Sequence, residues 1–160
     1  TDGTVVNHEG DVLSTEAFAV EHLTCMVKGY VATGDDGTAV GRTDDGEVCW
    51  SSKGTPVSVQ TEAMEHDGAS LLWLARNDGN QSQVHVWATN TGGKIASGSF
   101  ARVHAMHGTG QRAVLGCEDG SVVVWEREML HRRLNGATPA QSTDDRTSAL
   151  QAKLRALRRS

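Results

Sequence analysis

Side chains that could bind a metal, attack a substrate or hold a phosphate are few in this sequence, and their spacing is unfavourable. His104 and His107 are three residues apart, and in a strand this spacing directs the two rings to opposite faces. Residues 107–110 (HGTG) are glycine-rich but lack the lysine of a phosphate-binding loop. The acidic pairs at 35–36 and 44–45 lack the EF-hand spacing with its closing glutamate. The sequence therefore predicts no catalytic residue, metal site or cofactor, and a protein that is not an enzyme.

Composition indicates one soluble domain. The chain has 160 residues, of which 38% are apolar and 22% charged. It contains no apolar run of the roughly 18 to 20 residues that cross a bilayer, so no membrane span is predicted. Three widely spaced cysteines, Cys25, Cys49 and Cys117, disfavour a disulfide framework. We therefore expect an intracellular protein, with the cytoplasm preferred and nuclear, ciliary or organellar assemblies left open.

The charge is distributed unevenly along the chain. Residues 1–126 carry 7 basic and 17 acidic side chains, a net charge of −10, whereas residues 127–160 carry 8 basic and 3 acidic ones, a net charge of +5. An acidic body repels phosphate backbones, so nucleic-acid binding by the main domain is disfavoured. The basic tail leaves RNA, an acidic lipid surface or an acidic protein open as alternatives.

A repeated Asp-Gly dipeptide indicates a repeat architecture. Four Asp-Gly pairs, beginning at Asp2, Asp36, Asp78 and Asp119, are separated by 34, 42 and 41 residues, and each precedes an apolar strand. Asp-Gly between two such strands predicts a hairpin, because glycine accepts the positive φ of a tight primed turn. Around the last three pairs a strand is also predicted before and after the hairpin, the last of these over residues 129–134. A four-stranded unit repeated about every 40 residues is typical of a propeller blade.

Two segments resemble the WD40 repeat family: residues 31–38 (VATGDDGT) and 114–126 (VLGCEDGSVVVWE). The resemblance covers about residues 1–135 and implies an all-β propeller that serves as a non-catalytic scaffold in a multiprotein assembly. Three departures are visible: Arg42 replaces the terminal tryptophan, Ala88 replaces an acid, and residues 80–82 are expected to lengthen a turn. The structural repeat positions are Asp36, Asp78, Asp119, Trp87 and Trp125.

The predicted strands divide the chain into a half blade (1–21), three blades (22–54, 55–100 and 101–134), a linker (135–141) and a basic amphipathic helix (142–160). Propellers close with typically 4 to 8 blades, so we expect the remaining blades to come from residues before Thr1 or from another chain. Residues 1–160 alone are then expected to aggregate or to be partly unfolded. The alternatives are a ligand-binding or enzymatic propeller, and an RNA or membrane tether that acts through the basic helix.

The predicted C-terminal helix has an apolar stripe and a basic end. Docking on the propeller's own side and docking in a partner's groove are both open. The residues of the stripe and of the basic end are Leu150, Leu154 and Leu157, with Arg155, Arg158 and Arg159.

A triple serine variant tests whether this helix docks in a partner's groove. It replaces Leu150, Leu154 and Leu157. For docking in a partner's groove, we expect the melting temperature to stay nearly unchanged while the bound partner proteins are released. Thermal melting and co-purification measure the two effects. A lower melting temperature with the partners retained would make the helix an intramolecular brace.

Overall fold

The computed structural model describes residues 3–136, whose strands form four antiparallel sheets. A half blade contains two strands, and blades 1, 2 and 3 contain four, four and three strands, each sheet following chain order. The half blade is β1 (Thr4–Val6) and β2 (Val12–Thr15). Blade 1 is β3 (Val20–Met26), β4 (Gly29–Gly34), β5 (Thr38–Arg42) and β6 (Val48–Lys53). Blade 2 is β7 (Val57–His66), β8 (Ala69–Asp78), β9 (Gln81–Ala88) and β10 (Gly93–Ala101). Blade 3 is β11 (Val103–Gly108), β12 (Arg112–Cys117) and β13 (Val122–Glu126).

The strand predicted over residues 129–134 is wrong. These residues belong to an α-helix, α1 (Arg127–Leu134), so blade 3 has three strands within the described residues. The segment lacks β-branched residues, which favours a helix. Glu128 lies in the first turn and the basic residues 131–133 lie in the last, as the helix dipole prefers. Within residues 3–136 no helix is long and apolar enough to cross a membrane.

The Asp-Gly pairs at Asp36, Asp78 and Asp119 form hairpins, but two of these turns are wider than predicted, and Asp2 lies outside the described residues. Gly37 and Gly120 have φ of +80° and +81°, whereas the aspartates before them stay outside the left-handed region that a primed turn requires. The Asp36 and Asp119 carboxylates instead accept hydrogen bonds from backbone N–H groups two residues on, each at 2.9 Å. These are Asx turns, which the side chain itself stabilises.

The turn after Asp78 is shorter than predicted. Asp78 pairs directly with Gln81, so only Gly79 and Asn80 link β8 to β9. The lengthened turn expected over residues 80–82 is therefore wrong. The next residue, Ser82, is fully buried and accepts a hydrogen bond from the Val103 N–H of blade 3 at 2.7 Å.

Apolar layers join the blades face to face. Between blades 1 and 2 the Trp50 and Trp87 rings stack, with centroids 5.8 Å apart and planes 10° from parallel. Between blades 2 and 3 the Trp73 and Trp125 rings lie 5.9 Å apart at 58°. The first strand of blade 2, β7, contacts the first strands of blades 1 and 3. The buried cluster between blades 1 and 2 consists of Val31, Ala39, Trp50, Val57, Leu72 and Leu74.

An ion pair joins the half blade to blade 1. The Arg42 guanidinium donates from Nε and Nη2 to the two Glu16 carboxylate oxygens, at 2.6 and 3.0 Å, and Ser14 donates to Oε1 at 2.8 Å. Both charged side chains are largely buried, with 14% of the Arg42 and 3% of the Glu16 side chain exposed. Arg42, which departs from the family pattern, therefore has a structural role of its own here.

Replacing Glu16 with glutamine tests this ion pair. Burial raises the pKa of the Glu16 carboxyl, but hydrogen bonds from Arg42 and Ser14 outweigh burial, so the pKa lies below the ordinary 4.5. The stability from this group is present above pH 4.5 and is lost as the pH falls through the depressed value. We expect Glu16→Gln to lower the free energy of unfolding by about 3 to 5 kcal/mol at pH 7 and to weaken its dependence on acid. Urea unfolding at pH 7 and pH 3 measures both effects.

The exposed Glu21→Gln provides the control, because it removes a carboxylate for which the described residues show no ion pair. It should leave the unfolding free energy and its acid limb unchanged. Equal losses in the two variants would contradict the role assigned to Glu16.

Candidate functional site

The histidines and acidic residues do not gather into a reactive cluster. Within residues 3–136 no group of three or more His, Cys, Asp or Glu side chains could hold a metal ion. His104 and His107 both lie on β11, and the nearest carboxylate oxygen to His104 Nε2 belongs to Glu118, at 3.9 Å.

The repeat aspartates lie in corresponding turns of successive blades. Asp36, Asp78 and Asp119 are exposed at the β4–β5, β8–β9 and β12–β13 connections. Hydrogen bonds from Thr38 and Lys53 lower the pKa of Asp36 to about 2, and hydrogen bonds from Ser121 lower the pKa of Asp119. The Asp36 and Asp119 carboxylates thus stabilise their own turns from exposed positions.

The repeat tryptophans lie in the layers between blades. Trp87 and Trp125 are half-buried, whereas Trp73 is 1% exposed and donates from Nε1 to the Ala63 carbonyl at 3.2 Å. Trp87 also lines a cleft of about 390 Å³ between blades 1 and 2, together with Arg76 and Lys94. Arg76 was not among the residues predicted from the sequence. Its signal is a cation at the end of the otherwise apolar run of β8.

A second surface is the outer face of blade 3. Val122 and Val124 are 67% and 45% exposed, and each faces the same side as its partner on β12, because directly paired residues share a face. Strand β13 is also the edge of its sheet within residues 3–136. We call this surface the outer blade-3 face; its members are Ala105, His107, Val114, Gly116, Val122 and Val124.

An exposed apolar sheet face beside an unpaired edge is typical of an interaction surface. The predicted partner-binding residues Leu150, Leu154, Leu157, Arg155, Arg158 and Arg159 lie outside the described residues, so their role stays a prediction.

Comparisons with known proteins identify the fold. No protein-family model matches the chain, and no curated protein matches it. A crystal structure of BBS1N in complex with ARL6DN, soaked with lead, is similar over 72% of this chain and 40% of that one, with 12% identity and a TM-score of 0.57. The crystal structure of BamB from Moraxella catarrhalis is similar over 74% of this chain and 35% of that one, with 18% identity and a TM-score of 0.56. The chain spans less than half of either structure, and the likeness concerns the β-propeller fold alone.

The two tryptophans of the layer between blades 2 and 3 allow a graded test of packing. If Trp125 were fully buried, its replacement by alanine would cost about 3 to 5 kcal/mol. Because its ring is half-buried, we expect that full cost for Trp73→Ala and a smaller cost for Trp125→Ala. Urea unfolding of the two variants measures the difference. Equal costs would contradict the observed difference in burial.

Proposed function

We propose that this chain is a non-catalytic interaction scaffold, a WD40-like propeller segment that works within a multiprotein assembly. The observation that carries the proposal is the outer blade-3 face, where two valines are exposed beside an open strand edge. Apolar side chains in such a position gain free energy when another protein surface covers them. A protein of similar fold binds another protein, since the BBS1N structure is a complex with ARL6DN.

The WD40 assignment is part of the proposal. It is supported by the wide Asp-Gly turns of blades 1 and 3. In these turns the Asp36 and Asp119 carboxylates accept hydrogen bonds from the backbone N–H groups two residues further along the chain. It is also supported by Trp125, which follows three valines at the end of a strand and packs toward the preceding blade.

We also propose a reducing, cytoplasmic environment. Cys25, Cys49 and Cys117 are all free thiols, and free cysteines are the usual state in such a compartment.

Charge placed on the outer blade-3 face tests the scaffold. Val122→Glu with Val124→Glu should disperse the assembly, because a carboxylate buried at an interface lacks a partner. The melting temperature should change little, since both side chains are exposed. Size exclusion of cell extracts that contain the tagged full chain measures whether the complex disperses. Thermal melting of the purified protein measures stability.

The matched control is Val27→Glu with Val48→Glu, because these valines of blade 1 are 71% and 56% exposed. It should leave the complex intact. An unchanged complex in the blade-3 variant, or equal dispersal by the control, would refute the role of this face.

A further inference from the structure

The cleft between blades 1 and 2 collects positive charge on an otherwise acidic body. Its lining residues belong to the end of β6, to the segment that joins β6 to β7, and to strands β8, β9 and β10. The lining holds three cations and one carboxylate, whereas residues 1–126 as a whole carry a net charge of −10. The lining residues used below are Lys53, Arg76, Asp78, His85, Trp87 and Lys94.

Arg76 is a buried cation without a counter-ion. It is 5% exposed, and within residues 3–136 it forms no ion pair. Its Nη1 donates to the Gly37 carbonyl at 3.1 Å and to the Thr55 carbonyl, while Nε and Nη2 form no hydrogen bond in the described part of the chain. Burial lowers the pKa of Arg76, as expected where desolvation is not offset by an anion. A buried charge is costly unless it is paired, so this guanidinium favours an anion in the cleft.

The neighbouring groups reinforce that preference. Lys94 pairs in register with Trp87 and has no ion pair among the described residues. Burial lowers the pKa of His85, and the charges of Lys94 and Arg76 lower it further, which indicates a positive potential. His85 Nδ1 and Trp87 Nε1 are buried without a hydrogen-bond partner in residues 3–136. The Trp87 indole N–H is an unsatisfied donor of a residue that lines the cleft, and such a donor favours a ligand with acceptor oxygens.

We propose that this cleft binds a phosphate monoester group, held by Arg76, Lys94 and Lys53. With Asp36 beside Lys53 counted, the three cations face two carboxylates and leave an excess of one positive charge, which attracts an anion. Lys53 already contacts Asp36 at 3.1 Å, so Arg76 and Lys94 carry most of the attraction. Arginine is suited to this task because its planar guanidinium binds phosphate oxygens in pairs. The site is separate from the outer blade-3 face and does not rest on the proposed scaffold role.

Inorganic phosphate is the first probe. Titrated into the full chain at constant ionic strength, with chloride as the replaced anion, it should produce a saturable shift of the Trp87 indole N–H signal in a ¹H–¹⁵N NMR spectrum. It should also raise the pKa of His85, because a dianion near the ring favours the protonated imidazole against the opposing charges of Lys53, Arg76 and Lys94. A shift that does not saturate, or an equal affinity for acetate, would overturn the proposal.

Lys94→Gln separates binding from folding. Lys94 is exposed, so its loss should leave the melting temperature unchanged and weaken phosphate binding by about tenfold, as expected for one charge-assisted contact. Lys28→Gln is the matched control, because Lys28 is an exposed lysine at the β3–β4 turn and outside the cleft. It should bind phosphate as the unaltered protein does. Equal weakening by both variants would show non-specific attraction and overturn the site.

Arg76→Gln should abolish binding, but it also removes the contacts to Gly37 and Thr55, so its melting temperature is measured first. If it does not fold, Lys94→Gln still decides the proposal. A phosphoserine peptide and glycerol 3-phosphate, compared with inorganic phosphate, distinguish the two sources of the group. Tighter binding of the peptide assigns the site to a phosphorylated partner protein, and tighter binding of glycerol 3-phosphate assigns it to a small metabolite.

Discussion

A sheet with apolar residues on both faces is stable only when a neighbour covers each face, and β8 shows this constraint most clearly. Leu72 and Leu74 face blade 1, where they join the buried cluster with Trp50. Leu71 and Trp73 alternate with them and therefore lie on the opposite face, where Trp73 meets Trp125 of blade 3. Blade 2 is thus covered on both sides, and the face-to-face stacking of the described sheets follows from this requirement.

Each junction between sheets also contains a buried polar group that bonds across it. Glu16 and Arg42 connect the half blade to blade 1, and Ser82 accepts the Val103 N–H between blades 2 and 3. Arg76 occupies the corresponding place between blades 1 and 2, but it meets only carbonyl oxygens. Because buried polar groups bond only at suitable distance and angle, such contacts fix the register of one sheet against the next. Arg76 differs from the other two in carrying a charge that its own surroundings do not neutralise.

The two candidate binding surfaces differ in chemistry because they differ in position. The outer blade-3 face has exposed valines beside a strand that is the edge of its sheet within residues 3–136, so it offers apolar side chains and unpaired backbone groups. The cleft lies at a junction that is already packed, so it offers enclosed volume and charge. The described residues therefore offer an apolar sheet face in blade 3 and a polar cleft between blades 1 and 2.

The strands and the hairpins were largely predictable from the sequence, because alternation of apolar residues and the positive φ of Gly37 and Gly120 depend only on neighbours along the chain. The sequence of residues 127–134 also contains a signal for the helix α1, because its acidic residue comes early and its basic residues come late. The repeat period predicted a strand there, and that prediction was wrong. Which residues meet across the junctions was not predictable from local patterns. Arg76 meets carbonyls that lie 39 and 21 residues away, and Glu16 meets a guanidinium 26 residues away. No local pattern encodes such contacts, because they arise only when whole sheets have packed against one another.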